Sequence, residues 1–172
     1  MRTIYYETKF KDVDFSDLSI RTIFLAGPTP RPHQNHIPSW RKDAIKIFKE
    51  MKFDGNVIIP EFEFQENKID DPEYKKILPK WEYDFLEKSD AILFWVCRTE
   101  DLIGLTTNFE LGYWIARDRS RVVYGRPENA YKTHYNDFMW LEDSKRYGEK
   151  RVVAYTTLRK TIEKSIQVAN SD

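Results

Sequence analysis

The fold is decided by the run Ala91-Ile92-Leu93-Phe94-Trp95-Val96 and by Thr106-Thr107-Asn108-Phe109-Glu110-Leu111-Gly112, which follows it. The first run is apolar throughout, which is typical of a strand buried on both faces of a parallel sheet. The second is predicted to open a helix with Glu110 in its first turn. In open α/β sheets, ligands bind outside the carboxyl ends of the strands, where helix N-termini present unpaired N–H groups. Glu110 is therefore a candidate for chemistry at this edge. The alternative is a capping box, in which Thr107 and Glu110 only close the helix start.

Apolar strands alternate with helical patterns on both sides of this stretch. The predicted strands are 22–26, 57–60, 91–96, 121–124 and 151–155, and the predicted helices are 39–52, 79–89, 108–117, 135–146 and 157–168. Such alternation predicts one parallel sheet with helices on both faces. Residues 1–20, with a further predicted strand at 4–10, are interpreted as an N-terminal arm on an α/β domain of residues 21–172. The longest predicted loop is 62–74.

A second carboxylate is predicted to point towards the same edge. Pro79 suits a first helical position, and Glu82 then shares the apolar side of its helix with Phe85 and Leu86. A carboxylate that faces a core costs several kcal/mol unless it is paired, hydrogen-bonded or beside a polar cleft. Two inward carboxylates at one cleft suit cleavage of a glycosidic bond. One attacks or stabilises the anomeric carbon, and the other handles protons or sugar hydroxyls.

The loop after the first of these strands, Ala26-Gly27-Pro28-Thr29-Pro30, borders the same crevice in a doubly wound sheet. Gly27 permits close approach of the backbone to a ligand, and a tight Gly-Pro turn without a ligand is the alternative. Glu61 follows the next strand and is within reach of this edge. For Glu61 a solvated loop acid is the favoured interpretation.

Four elements in this order resemble the nucleoside 2-deoxyribosyltransferase family. They are the strand and loop 23–28, Trp81-Glu82 ahead of Asp90, the strand 91–96, and Thr107-x-x-Glu110-Leu111-Gly112. The likeness covers about residues 21–142. It implies a flavodoxin-like, doubly wound sheet of five parallel strands, an oligomer of identical chains, and a small nucleoside or nucleotide as partner. The family's nucleophile, the glutamate of Glu-Leu-Gly that takes up the 2-deoxyribosyl group, corresponds to Glu110. The acidic residue on the preceding helix corresponds to Glu82.

The resemblance also implies a set of substrate contacts. Thr106, Thr107 and Asn108 stand where the family has a glycine-rich turn, and they are candidates to bind a sugar 5′-hydroxyl or 5′-phosphate. The segment 134–140 is similar to a family region that reaches into a neighbouring subunit's site, although an ordinary amphipathic helix explains it as well. The substrate-binding candidates are Phe24, Gly27, Pro28, Thr29, Asp101, Thr106, Thr107, Asn108, Asn136 and Met139.

One position departs from the pattern of the family's transferases. Their aspartate six residues before the nucleophile is implicated in handling the base proton, and this position is Gly104 here. Asp101 is the nearest acid. Related members hydrolyse deoxynucleoside monophosphates instead of exchanging bases, so transfer and hydrolysis both stay open.

Composition narrows the classes of function. Lys plus Arg and Asp plus Glu number 28 each, and without a basic footprint a small ligand is favoured over a nucleic-acid polymer. The single cysteine, Cys97, excludes an internal disulfide framework and is typical of a reducing cytoplasm. The sequence holds no run of about 18 apolar residues and no charged-then-apolar leader, which predicts a soluble cytoplasmic protein away from membranes. His33, His36 and His134 have no ligand-type partners nearby in the sequence, so no metal and no cofactor are expected.

Together these observations predict an enzyme that cleaves or exchanges the N-glycosidic bond of 2′-deoxynucleosides or their 5′-monophosphates. Glu110 is its nucleophile, and Glu82 positions the sugar or serves as acid–base partner. Two alternatives stay open. One is an NAD glycohydrolase, since a glutamate also suits cleavage between nicotinamide and ribose. The other is a non-catalytic nucleotide-binding module, in which both glutamates only hydrogen-bond ribose hydroxyls.

Overall fold

A sheet of five parallel strands forms the centre of the protein. The computed structural model describes residues 1–31, 37–63, 72–148 and 152–171, except for the side chains of 73–75. The strands are β1 (Arg2–Tyr5), β2 (Thr22–Ala26), β3 (Asn56–Ile59), β4 (Ala91–Trp95) and β5 (Val122–Gly125). Their spatial order is β1-β3-β2-β4-β5, with Phe24 opposite both Ile58 and Ile92. The predicted flavodoxin-like α/β architecture is confirmed.

Helices cover both faces of this sheet. They are α1 (Arg41–Glu50), α2 (Pro72–Lys88), α3 (Leu105–Asp118), α4 (His134–Arg146) and α5 (Leu158–Ala169). Because side chains alternate along a strand, Phe24 and Ala26 pack with α2, α3 and α4. Ile23 and Leu25 point the other way and pack with α1 and α5. No helix in the described ranges is long and apolar enough to cross a bilayer.

The fifth strand of the sheet is not the predicted one. Of the strand predicted at 151–155, only Tyr155 makes a bridge, to Gly125, and Arg151 lies outside the described residues. The strand predicted at 4–10 is instead β1, which pairs with β3 over four residues. β3 is buried along its whole length. Because an exposed apolar edge invites pairing with other chains, a strand that covers it is physically reasonable.

Two helices begin earlier than predicted. Pro72 is the first residue of α2, and Pro79, expected at that position, lies inside the helix. Proline is favoured at the first position of a helix, so Pro72 and Pro79 were both possible starts. The prediction placed the start at Pro79, and the structure has it at Pro72. α3 begins at Leu105 rather than at 108. Of the predicted loop 62–74, residues 72–74 belong to α2 and 64–71 lie outside the described residues.

The segment after β1 packs onto α2. The indole Nε1 of Trp81 donates to the carbonyl of Thr8 at 2.8 Å, and the Tyr6 ring lies edge-on to Trp81 at 5.5 Å. Phe10 lies edge-on to Phe85 at 5.0 Å. Residues 1–20 therefore contribute both a strand and an aromatic cover for the helix that carries Glu82.

Candidate functional site

The crevice at the carboxyl ends of β2 and β4 is the topological switch point of the sheet. From β2 the chain passes through α1 to β3 on one side, and from β3 it passes through α2 to β4 on the other. Ligand crevices in open α/β sheets lie at such a point. The two loops that border it, after β2 and after β4, are in close contact. A Cβ placed on Gly104 would lie 2.7 Å from Cγ of Pro28.

Glu110 enters this crevice from the second turn of α3. Gly104 caps the helix in the left-handed conformation, with φ of 58°, and no side chain caps the helix start. Thr107 is buried within the first turn, and no acidic residue lies in that turn. The capping box and the first-turn position of Glu110 are therefore both wrong, because a left-handed glycine starts the helix three residues earlier than the sequence suggested. The Glu110 carboxylate is not used to close the helix.

Glu82 enters from α2 and is half-buried. Its chain neighbour Trp81 is buried in the core, and so are Phe85 and Leu86 one turn further on. The predicted inward direction of Glu82 is consistent with this packing, because residues three and four apart share a face of a helix.

The two carboxyl groups lie within electrostatic range of each other. Burial raises the pKa of Glu82 first of all, and the negative charge of Glu110 raises it further, while Arg41 and Arg31 oppose the increase. Burial also raises the pKa of Glu110, and Arg41 opposes it. Two carboxyls in such a site favour sharing one proton near neutral pH, because the second negative charge costs more than the first.

Arg41, the first residue of α1, is a cation of the site that the sequence reasoning missed. Its side chain is buried and donates to the carbonyls of Leu25 (3.0 Å) and Gly27 (2.9 Å) and to Oγ1 of Thr29 (3.0 Å). It also forms an ion pair with Glu61 at 2.6 Å. The sequence did contain a signal for this role. A cation near a helix N-terminus interacts unfavourably with the helix dipole, so an arginine at that position indicates a function other than stabilising the helix.

Glu61 is a partner of this network and not a solvated loop acid. Its side chain is 15 % exposed, and Oγ of Ser39 lies at 2.9 Å and 2.8 Å from its two carboxylate oxygens. The favoured interpretation of Glu61 was wrong because no sequence pattern reported the buried guanidinium that it neutralises. The adjacent Trp40 adds a bond from its indole Nε1 to the carbonyl of Pro28 at 3.1 Å.

A second buried arginine lies on the opposite side of the crevice, just after β4. Arg98 is 5 % exposed and donates to Oδ1 of Asn108 (2.6 Å) and to the carbonyl of Lys132 (3.2 Å). Asn136 donates to the same Oδ1 at 2.9 Å. The Oδ1 atom of Asn108 therefore accepts two bonds from the protein, and Arg98 ties α3 to the start of α4.

Among the other candidates, the loop residues lie together and the rest are dispersed. The backbone of Gly27 and Pro28 and the hydroxyl of Thr29 are held by Trp40 and Arg41. Phe24 is buried, with its ring 6.4 Å from that of Trp81. Thr106 and Asp101 are exposed.

Asn136 and Met139 border a different cavity. An open groove of about 1120 Å³ lies between α3 and α4, and neither Glu82 nor Glu110 lines it. Asn108 also borders this groove. The predicted residues therefore divide into a crevice set around Glu82 and Glu110 and a groove set on α4, with Asn108 between them.

In the described ranges, no group of three His, Cys, Asp or Glu residues is placed to hold a metal ion. His33 and His36 lie outside those ranges. Cys97, at the end of β4, is partly buried, and burial raises the pKa of its thiol to about 11. This thiol is therefore neutral at physiological pH.

Comparison with known proteins finds a family match over this site. No match to the chain is found among curated proteins. The family model described as "Nucleoside 2-deoxyribosyltransferase like" matches residues 20–128. That range contains the Gly27–Thr29 loop, Arg41, Glu82 and Glu110, and it covers more than half of the 172 residues. The chain therefore belongs to the nucleoside 2-deoxyribosyltransferase-like family.

Proposed function

We propose that this protein is an enzyme that cleaves the N-glycosidic bond of 2′-deoxynucleosides or their 5′-monophosphates and passes the sugar to another base or to water. The observation that carries the proposal is the pair of half-buried carboxyls, Glu82 and Glu110, at the switch point of a sheet whose family match covers both. Perturbed acids in a cleft are candidates for acid–base and nucleophilic work.

Glu110 is the proposed nucleophile. Burial raises the pKa of Glu110 and the positive charge of Arg41 opposes that increase, which favours the carboxylate form that a nucleophile needs. Its carboxylate oxygen forms a bond to C1′ as the bond from C1′ to the base nitrogen breaks, through an oxocarbenium-like transition state. The electron pair of the broken bond stays on the base.

Glu82 is the proposed acid–base partner. Burial and the charge of Glu110 raise the pKa of Glu82, and as the proposed acid Glu82 gives the shared proton to the leaving base. In the second step, an acceptor base or water attacks C1′, and the bond from C1′ to Glu110 breaks. Glu82 takes the proton that the attacking nitrogen or water loses, which restores the starting state.

The sugar 5′ end is proposed to lie at the start of α3. No side chain caps that helix in the structure, so its first N–H groups are open to a hydroxyl or phosphate oxygen. Thr106 is exposed there. Gly27, Pro28 and Thr29 are proposed to border the ligand from the β2 side, and Asp101 and Asn108 from the β4 side.

Hydrolysis is favoured by one specific feature. At Gly104, where the family's transferases carry an acid that handles the base proton, the chain has no side chain. Proton transfer to and from an incoming base is then assigned to Glu82, whereas water has weaker positional requirements. Transfer and hydrolysis are separated by whether a free acceptor base changes the product.

The exposed face formed by α3 and α4 is proposed to bind a second copy of this chain. Phe109 is 79 % exposed and Leu105 is 76 % exposed, and Tyr135, Phe138 and Met139 of α4 are exposed as well. Several large apolar side chains exposed on two neighbouring helices favour an interaction site. Sedimentation velocity of the protein and of Phe109→Glu tests it, with a monomeric wild-type protein as the contrary result.

A substrate panel tests the proposed activity. Deoxynucleosides, ribonucleosides, their 5′-monophosphates and NAD are incubated with the protein, with and without free adenine, and base release is followed by chromatography. We expect release from deoxyribosides, and a deoxyribosyl adduct on the peptide that carries Glu110 in quenched samples. Release from NAD or ribosides alone supports the glycohydrolase. A ligand-dependent rise in melting temperature without release supports a binding module.

A further inference from the structure

Arg41 is a buried cation whose described hydrogen bonds go to the border of the crevice and not to the two carboxyls. It is 1 % exposed, and four N–H groups donate: one from Nε to Leu25, two from Nη1 to Thr29 and Glu61, and one from Nη2 to Gly27. Burying a guanidinium costs several kcal/mol unless it is paired and hydrogen-bonded. Four hydrogen bonds fix the guanidinium in this costly buried position, which indicates that its positive charge has a function there.

The charge of Arg41 reaches both carboxyls through space. It opposes the raised pKa of Glu110 and of Glu82, in each case as the first opposing cause. Arg41 makes no described hydrogen bond to either glutamate, so its influence on them is electrostatic. In a partly buried site, a charge acts on its neighbours more strongly than it does at the same distance in water.

The other charged and titratable groups around the pair come from each neighbouring element. Arg31, after β2, acts on Glu82. Glu61, after β3, is paired with Arg41, and the thiol of Cys97, at the end of β4, stays neutral. On α2 and α3, the titrating groups that act at this site are Glu82 and Glu110 themselves. Arg41 is therefore the cation that acts on both members of the pair and is fixed by the fold.

We propose that Arg41 is a positioning residue of this site, which fixes the Gly27–Thr29 loop and places a buried positive charge at the carboxyl pair, so that the pair keeps one negative charge. This role rests on the proposed function, because it concerns the same carboxyl pair. Without the charge of Arg41, both glutamates are protonated over a wider pH range, and the nucleophile is lost at neutral pH. The charge of the pair is thus set by a residue that makes no hydrogen bond to either glutamate in the described part of the chain.

Two variants are expected to shift the pKa of the carboxyl pair in opposite directions. Arg41→Gln combined with Glu61→Gln removes the ion pair without leaving an unpaired charge. We expect the lower apparent pKa of the carboxyl pair to rise by about one pH unit. Glu61→Gln alone leaves Arg41 unbalanced, and we expect the same pKa to fall. Arg126→Gln with Asp137→Asn, an ion pair of 2.8 Å between the residue that follows β5 and α4, is the matched control, with no expected effect.

The measurement is carbon-13 NMR titration of protein labelled at the glutamate side-chain carboxyls. Glu82→Gln and Glu110→Gln assign the two signals, and near-ultraviolet circular dichroism checks that each variant is folded. If the double variant does not fold, the downward shift in Glu61→Gln decides the question. Titration curves that coincide with the wild type in the folded variants overturn the proposal.

The titration needs no substrate, so its outcome is separate from that of the proposed function. If the wild type cleaves deoxyribosides but the titration does not respond to the variants, the role of Arg41 is wrong and the activity stands. If the titration responds but nothing is cleaved, the charge-setting role stands and the enzyme proposal fails. Arg41→Lys adds a second readout, because it keeps the charge and loses the fork of hydrogen bonds. We expect an unchanged titration with a KM that rises several-fold as the loop loosens.

Discussion

The two sides of the crevice are each held by a buried arginine, and the two arginines are satisfied in different ways. On the β2 side, Arg41 has a carboxylate partner in Glu61 and four hydrogen bonds. On the β4 side, no carboxylate in the described part of the chain pairs with Arg98, and its Nε lacks a partner there. Burial accordingly lowers the pKa of the Arg98 guanidinium.

This difference separates two uses of a buried cation. Arg41 belongs to a closed set of charges that acts on Glu82 and Glu110 and holds a backbone loop. Arg98 bonds to a neutral amide and a carbonyl, and it acts as a tie between α3 and α4. A buried ion pair and a buried lone cation respond differently when the cation is removed, because only the pair leaves a buried anion behind. The β2 side is therefore the more fragile of the two.

The largest effect is expected at the centre that the two sides enclose. Glu110→Gln keeps the shape of the side chain and removes the nucleophilic charge, so kcat for deoxyriboside cleavage falls by at least about a thousandfold, roughly 4 kcal/mol of barrier. Initial rates by chromatography measure this. Glu163→Gln, exposed on α5, is the control. A decrease below about tenfold would show that the nucleophile lies elsewhere.

Truncating each arginine tests the comparison itself. Arg41→Met leaves Glu61 without its cation and lowers the free energy of unfolding by about 3–5 kcal/mol. Arg98→Met leaves only neutral acceptors behind and lowers it by about 1–3 kcal/mol. Urea denaturation at pH 7 measures both values. Equal losses in the two variants would remove the distinction between the two sides.

The glycines of the two loops extend the comparison to the backbone. A Cβ on Gly27 would lie 2.4 Å from the carbonyl oxygen of Trp95, whereas a Cβ on Gly104 meets the Pro28 side chain at 2.7 Å. A backbone atom yields less readily than a side chain, so Gly27→Ala costs about 2–3 kcal/mol and Gly104→Ala about 1–2 kcal/mol. Thermal unfolding of both variants measures this order. The reverse order would place the tighter contact on the β4 side.

The effect expected to be smallest, when taken over one pH unit, is on the pH dependence of stability. Folding raises the pKa of Glu82 to about 8 and that of Glu110 to about 7, so between about pH 5 and these values the folded state binds more protons than the unfolded state. The free energy of unfolding then falls as pH rises, by at most about 1.4 kcal/mol per pH unit for each bound proton. Glu82→Gln removes one such group, and its pH profile is expected to be shallower. Parallel profiles of variant and wild type would contradict the raised pKa of Glu82.

The two carboxyls of the candidate site could be predicted from the sequence, whereas the charged residues around them could not. Glu110 and Glu82 follow from an apolar strand, a helical period and a family pattern. Arg41 and Glu61 lie 20 positions apart and meet only through the parallel order of β2 and β3, which no local pattern reports. The starts of α2 and α3 were predicted wrongly for a related reason. Gly104 and Pro72 set the boundaries, and the stronger-looking signals at Thr107 and Pro79 were misleading.

The position of β1 has a consequence for how the chain reaches its folded state. Arg2 pairs with Asn56 and Tyr5 with Ile59, so the first strand to be synthesised waits about fifty residues for its partner, and contacts of such sequence separation form late. Until then β3, with its Val57-Ile58-Ile59 run, presents an apolar edge to other nascent chains. A version that lacks only residues 1–5 keeps that edge open permanently, and we expect it to aggregate even after folding. The first five residues then protect the chain from aggregation, although they contribute no candidate catalytic group.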